Sequence, residues 1–312
     1  MNNLLAVKIG NLPLQNPIMP ASGTFDTTLE PLIDFNQLGA FVTKTFTQSR
    51  RSGNALPRIC EVSSGMLNAI GIPSKGVEHY ISDVVPFFNR YQPPLVASIS
   101  ANTAAEFAQL AEILTDVKGI AAIEANISCP NIEAHGKAFA IAADSTKKVI
   151  KMLRRATPLP LWAKLTPNTG DIISVAKAVE DEGGDAIVVG NTLLGMAIDV
   201  KTRRPKLGNI MGGFSGPAIK PINLRMTYQC FKHVSIPVIG CGGIETLNDV
   251  LEYLLAGATA VQVGTANFIE PTIMTDLVQQ LTDYCQANNI KSMTDLIGQV
   301  DDTPFEPYTA LS

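Results

Sequence analysis

Eight short apolar runs, each giving way to a glycine or small polar residue and then to a helical pattern, restrict this chain most. They lie at 18–21, 40–44, 95–99, 122–127, 161–165, 186–189, 237–240 and 260–263. Strands apolar on both faces belong to a parallel sheet covered by helices. Helical periodicity follows at 104–114, 145–155, 172–182, 222–231 and 247–255. Eight such units in 312 residues predict an α/β fold, a closed (β/α)8 TIM barrel. An open doubly wound sheet is the other arrangement of the same units. A hairpin at 4–9 and 12–18, turned by Gly10-Asn11, precedes the first barrel strand. No low-complexity linker divides the chain, so 1–312 is expected to be a single barrel domain, with 301–312 as a poorly ordered extension.

Composition narrows the class. With 46% hydrophobic and 17% charged residues, the chain can build a large core. A net charge of −4 without a basic block opposes nucleic-acid binding. No run approaches the ~18 apolar residues of a membrane span. The N-terminus, Met1-Asn2-Asn3-Leu4, lacks the charged and apolar regions of a signal peptide. A soluble, cytoplasmic protein is expected. The 5 cysteines are odd in number, widely spaced and without C-x-x-C, which argues against a disulfide framework, a zinc ribbon or an intrinsic iron–sulfur centre.

A barrel of this type works at the C-terminal ends of its strands. The residues there are Ser22, Lys44, Ser98, Asn126, Lys164, Asn191, Gly242 and Gly264, all polar or glycine after apolar runs. Ile239-Gly240-Cys241-Gly242-Gly243-Ile244-Glu245 carries a strand through paired glycines into a helix. Glycines let backbone N–H groups approach a phosphate, and the helix N-terminus adds favourable dipole charge. Val263-Gly264-Thr265-Ala266 offers a second set of donors. Either glycine site alone is equally an ordinary turn. Lys44 and Lys164 either snorkel to water or face an anionic ligand, such as the developing charge on a reduced flavin.

Asn126-Ile127-Ser128-Cys129-Pro130-Asn131 sets a thiol directly after a strand, beside two amide side chains. A cysteine there can serve as base or nucleophile, or merely as a small buried hydrophobe. His135 is the alternative base nearby, whereas His79 and His233 read as structural or surface residues. The other four cysteines read as buried hydrophobes. Gly65-Met66-Leu67-Asn68-Ala69-Ile70-Gly71 reads as a tight loop whose Asn68 can both donate and accept. The segment 193–214, with Lys201, Arg203 and Arg204, reads as a moving lid or a solvated excursion.

Together these segments resemble class 1 dihydroorotate dehydrogenases, the flavin enzymes of pyrimidine biosynthesis, over roughly 4–300. The resemblance is carried by Pro20-Ala21-Ser22-Gly23, Thr43-Lys44, 66–71, 126–131, Gly216-Pro217-Ala218-Ile219-Lys220-Pro221 and the two glycine sites. Class 2 members carry an N-terminal extension and a serine base; this chain has Cys129. The resemblance implies that FMN is held by Ala21, Ser22, Lys44, Thr45, Ser98, Asn126 and Lys164. Gly216, Gly242, Gly243, Gly264 and Thr265 would lie near its ribityl and phosphate groups. It implies that dihydroorotate or orotate contacts Lys44, Asn68, Ala69, Ile70, Gly71, Ile72, Asn126, Asn131, Asn191 and Thr192. Cys129 would take the proton from ring carbon five while hydride leaves carbon six, with Lys44 and Lys164 assisting.

Within class 1 the chain is closer to subgroup B, through 66–71, Asn191-Thr192 and 135–139. That subgroup pairs a catalytic homodimer with an electron-transfer subunit carrying FAD and a [2Fe–2S] cluster, and passes electrons to NAD. Ala140, Ser52 and a short 24–30 loop depart from the subgroup pattern. Subgroup A, a fumarate-using homodimer, is one alternative. Others are a related pyrimidine-reducing flavin barrel and a flavin-free phosphate-binding lyase or isomerase.

Overall fold

The computed structural model describes residues 4–128 and 138–304. Its centre is a parallel sheet of eight strands: Ile18–Pro20, Phe41–Val42, Leu95–Ile99, Ile120–Asn126, Leu161–Lys164, Ala186–Val189, Val238–Cys241 and Ala258–Val263. These are called strands one to eight below. Strands two to eight pair in chain order, and strand eight pairs with strand one. Two backbone bonds join strands one and two at the remaining seam: Gly39 N–H to Ile18 O at 2.8 Å and Thr45 N–H to Ser22 O at 3.1 Å. A Cβ on Gly39 would sit 2.2 Å from Asn16 O, so only glycine lets the two chains approach there. The sheet therefore closes as the (β/α)8 barrel the sequence predicts.

Why these segments are strands is visible in their burial. Strands three, five, six and seven are buried at every position, with Trp162 and Ile99 fully inside. Side chains facing inward fill the barrel, and those facing outward meet the helices. The long helices Ala104–Thr115, Ala143–Ala156, Ile172–Asp181, Lys220–Phe231, Leu247–Leu255 and Ile273–Ala287 follow strands three to eight. Several start on a side-chain cap: Thr103 accepts from Glu106 N–H, Asp171 from Ser174 N–H, and Thr246 from Asp249 N–H. Such caps contribute about 1 kcal/mol each and fix where each mouth loop ends.

The first two crossovers have no long helix. They contain 3₁₀ turns at Thr27–Leu29 and Phe35–Gln37, and a short irregular helix from Val77–His79 to Val85–Phe88. An aromatic cluster packs that side instead, with Phe25–Phe35 and Phe41–Phe88 ring centroids 5.0 Å apart. The N-terminal hairpin pairs Val7–Ile9 with Leu12–Leu14, and is shorter than the sequence suggests.

The 193–214 segment is a largely exposed excursion with regular structure: Leu193–Met196 and Met211–Ser215 are antiparallel strands, and Ile198–Asp199 pairs with Arg204–Pro205 at the tip. One expectation is corrected: 65–71 is not wholly a loop, since Gly65–Asn68 pairs with both Met211–Ser215 and Ile59–Val62. The four strands make a second sheet around a small core of Leu67, Ala69 and Leu207. These strands escape sequence reading because their glycines and alternating exposure weaken both helix and strand patterns. Of the expected C-terminal extension, 305–312 lies outside the described residues. Asp302 is engaged, accepting from Tyr228 and pairing with Lys232 at 2.8 Å. Among the described residues, no helix is long and apolar enough to cross a membrane.

Candidate active site

The polar residues at the C-terminal strand ends converge. Asn126, on strand four, donates to Thr45 at 3.3 Å, and Thr45 bonds Ser98 of strand three at 2.9 Å. Ser128 donates to Asn126 Oδ1 at 2.6 Å and accepts from Asn191 Nδ2. Lys164 of strand five donates to Gln262 at 2.8 Å, with Cys241 Sγ 3.6 Å from its Nζ. Five strands thus bring together the sequence-predicted Thr45, Ser98, Asn126, Lys164 and Asn191. Ala21 and Ser22 are buried at the end of strand one. Lys44 is half-buried and lines a cavity of ≈ 250 Å³ with Gly23, Thr24, Asn267 and Phe268.

The predicted phosphate glycines lie where strands seven and eight end. Gly242 and Gly243 have φ of 129° and 68°, in the left-handed region. A Cβ on Gly242 would meet Asn223 Nδ2 at 2.2 Å, and one on Gly243 would meet Lys220 Cβ at 2.7 Å. Asn223 holds this turn, donating to Cys241 O at 2.9 Å and Asn191 O at 3.3 Å. Thr265 bonds Ser215 at 2.8 Å, next to Gly216. Among the described residues, no protein acceptor takes the backbone N–H of Gly243, Gly264 or Thr265.

The second sheet brings Asn68 to the same end of the barrel. Gly216 and Gly65 touch so closely that a Cβ on Gly216 would lie 2.7 Å from Gly65 Cα. Asn68 is paired with Gly213 and donates its amide to Gly213 O at 3.3 Å. Thr192 packs on Gly213, where a Cβ would come within 2.0 Å of its Oγ1. Ala69, Ile70, Gly71 and Ile72 then turn back, with Gly71 and Ile72 at φ of 76° and 49°. Asn54 holds that turn through Ile70 O and Ala69 O.

Several residues were missed from sequence. Glu124 and Gln262 are fully buried polar side chains inside apolar strands. Ser98 donates to Glu124 Oε1 at 3.0 Å, and Gln262 Nε2 donates to Glu124 Oε2 at 2.6 Å. The available signal was a charge or amide within an otherwise apolar run, two residues from a predicted mouth residue and so on the same strand face. Asn168 was missed too; it donates to Thr192 O and accepts from Leu194 N–H, holding the turn after Asn191. Cys230, Cys241 and Cys285 are buried as expected, but Cys60 is only half-buried. His79 pairs with Asp83 and His233 bonds Gln229 O, both away from this cluster in structural roles. Cys129, Asn131 and His135 lie outside the described residues.

The family model "Dihydroorotate dehydrogenase" matches residues 4–284. The chain belongs to the dihydroorotate dehydrogenase family. It is 49% identical over 296 residues to a dihydroorotate dehydrogenase B (NAD(+)) catalytic subunit from Desulforamulus reducens, covering 94% of this chain and 97% of that protein. Proteins of the same description from Parabacteroides distasonis and Listeria monocytogenes are 43% and 44% identical, over 95% and 94% of this chain and 98% and 97% of their own lengths. As a dihydroorotate dehydrogenase, the chain is an oxidoreductase of a flavin-dependent family.

The glycine turns after strands seven and eight fit a flavin phosphate. Two glycines at positive φ, closed in on one side by Asn223 and Lys220, carry no side chain of their own into the turn. The backbone N–H groups of Gly243, Gly264 and Thr265, without a protein acceptor among the described residues, suit phosphate oxygens. Lys220 is not a free phosphate ligand, because Asp249 and Glu252 hold it at 2.6 and 3.0 Å.

Proposed function

We propose that this chain is the catalytic subunit that oxidises dihydroorotate to orotate in pyrimidine biosynthesis. The reading is carried by one observation: the amides of Asn126 and Asn191 and the Lys164 ammonium converge at the strand ends of a barrel from this family. FMN would be held by Ala21, Ser22, Lys44, Thr45, Ser98, Asn126 and Lys164, with Gly216, Gly242, Gly243, Gly264 and Thr265 around its phosphate. Bound FMN supplies the hydride acceptor. Asn68, Asn126, Asn131, Asn191 and Thr192 satisfy the donors and acceptors of the substrate ring, and the backbone of 69–72 borders it. Lys44 meets its carboxylate. The Cys129 thiolate would remove the proton from ring carbon five as general base.

Relatives named as NAD(+) catalytic subunits support the subgroup B assignment. In this reading the chain is one barrel domain in a cytoplasmic homodimer. It passes electrons to NAD through a second subunit that carries FAD and a [2Fe–2S] cluster. Leu194, Met196, Ile198, Val200 and Met211, all exposed on the second sheet and its tip, make an apolar face that suits a second copy.

An anaerobic absorbance spectrum of the purified chain, before and after dihydroorotate, tests the reading. A flavin band that bleaches is the expected result. A band that persists defeats the substrate assignment, and a chain that stays colourless with added FMN defeats the flavin site.

A further inference from the structure

Two hydrogen-bonded arms of the polar chain at the barrel mouth lead to one carboxylate. On one side Asn191 donates to Ser128, Ser128 to Asn126, and Asn126 to Thr45. Ser98 gives its only hydroxyl proton to Glu124, so Thr45 must donate to Ser98. On the other side Lys164 donates to Gln262, and Gln262 donates to Glu124. The residues come from six different parts of the chain, and both arms end on the two oxygens of Glu124.

Glu124 is fully buried, and the buried ammonium of Lys164 lies one amide away. A buried carboxylate without a partner is costly, and so is a buried ammonium. Glu124 accepts from the NH₂ end of Gln262, which leaves the carbonyl end of that amide facing the Lys164 ammonium. Cys241 Sγ also lies 3.6 Å from Lys164 Nζ, and burial pushes its ionisation up. In a barrel interior of low dielectric this orientation has more weight than in water.

We propose that Glu124 and Gln262 are positioning residues of the flavin site, which act through Lys164 by holding its ammonium in place. The proposal rests on the assignment of Lys164 to FMN. Neither residue needs to touch the ligand. Glu124 sets the direction of the hydrogen bonds, and Gln262 transmits it across the barrel.

A double-mutant cycle on the holoenzyme tests this, with Gln262→Met and Lys164→Met, reading the FMN dissociation constant and the flavin midpoint potential. Gln262→Met is expected to weaken FMN binding about tenfold, in line with loss of a hydrogen bond to a charged group. It should also make the potential more negative, since the reduced ring loses a fixed cation. In the Lys164→Met background the same substitution should change neither quantity. Equal shifts in both backgrounds, or none in either, overturn the proposal. A wild-type chain that binds no FMN defeats the flavin-site assignment instead. Urea unfolding of the flavin-free chain then still decides the coupling: Glu124→Gln should lower the midpoint, and adding Lys164→Met should restore part of the loss. Additive losses there would end the proposal as well.

Discussion

Lys220 and Asp249 meet at 2.6 Å beside the glycine turn that follows strand seven. Lys220 opens the helix after strand six, and Asp249 lies in the first turn of the helix after strand seven. The other Asp249 oxygen accepts the N–H groups of Glu245 and Thr246 at 2.9 and 2.8 Å. One carboxylate therefore caps a helix and ties it to its neighbour. Gly243 sits against Lys220, so the pair also sets the shape of that glycine turn.

That pair makes stability depend on pH. Burial alone would push the Asp249 carboxyl up, but the Lys220 ammonium and the two N–H groups outweigh it and hold it below its ordinary value. A carboxyl depressed in the folded state adds stability above its unfolded value, and the gain is lost as pH falls through the folded one. The gap in urea midpoint between wild type and Asp249→Asn should be full at pH 7 and shrink as pH drops below about 4. A constant gap across that range would show that the charge is irrelevant.

The two glycine sites should separate folding from ligand binding. Gly242→Ala puts a Cβ 2.2 Å from Asn223 Nδ2 at a φ of 129°, so a loss of roughly 1–3 kcal/mol in urea unfolding is expected. Gly264→Ala meets only Ala21 Cβ at 3.6 Å, an ordinary contact. It should cost under about 0.5 kcal/mol, as substitutions away from strained features do. If phosphate lies against Gly264, FMN titration of that variant should still show weaker binding, and unchanged affinity would remove Gly264 from the site.

Cys129→Ser should retain flavin and lose turnover. Loss of a general base costs about 10²–10⁴-fold, so stopped-flow reduction by dihydroorotate should slow by that factor. A variant that reduces its flavin at the wild-type rate would falsify the role of Cys129.

Thiol labelling checks the remaining cysteines. Burial pushes the Cys230 thiol up to about 12 and those of Cys241 and Cys285 upward as well. At pH 8, alkylation of the native chain followed by peptide mass analysis should modify Cys60 among these four. The other three should react only after unfolding, and their rapid labelling in the native chain would contradict the buried core described here.

The barrel was legible because its signals are local. An apolar run such as 186–189 and a periodic helix such as 172–182 each declare themselves within a few residues, and both are found nearly at those bounds. Ser98, Asn126, Lys164 and Asn191 were legible as well, because a polar residue closing an apolar run marks the strand end where a barrel places its chemistry. Glycine-rich 211–215 was not legible. It becomes a strand because 193–196 and 65–68 lie on either side of it, and no property of one segment announces the others.

The order of strands and helices, the polar ring at the barrel mouth and the glycine turns are thus written in the sequence by itself, since periodicity and chain-breaking act between near neighbours. The tertiary structure alone decided which of those polar groups bond. Glu124 and Gln262 are 138 residues apart, and their contact exists only because closing the barrel turns both side chains into one interior. Inside that interior water is excluded, so a buried donor gains most from a buried acceptor, and the partner Gln262 finds is set by the sheet and not by distance along the chain.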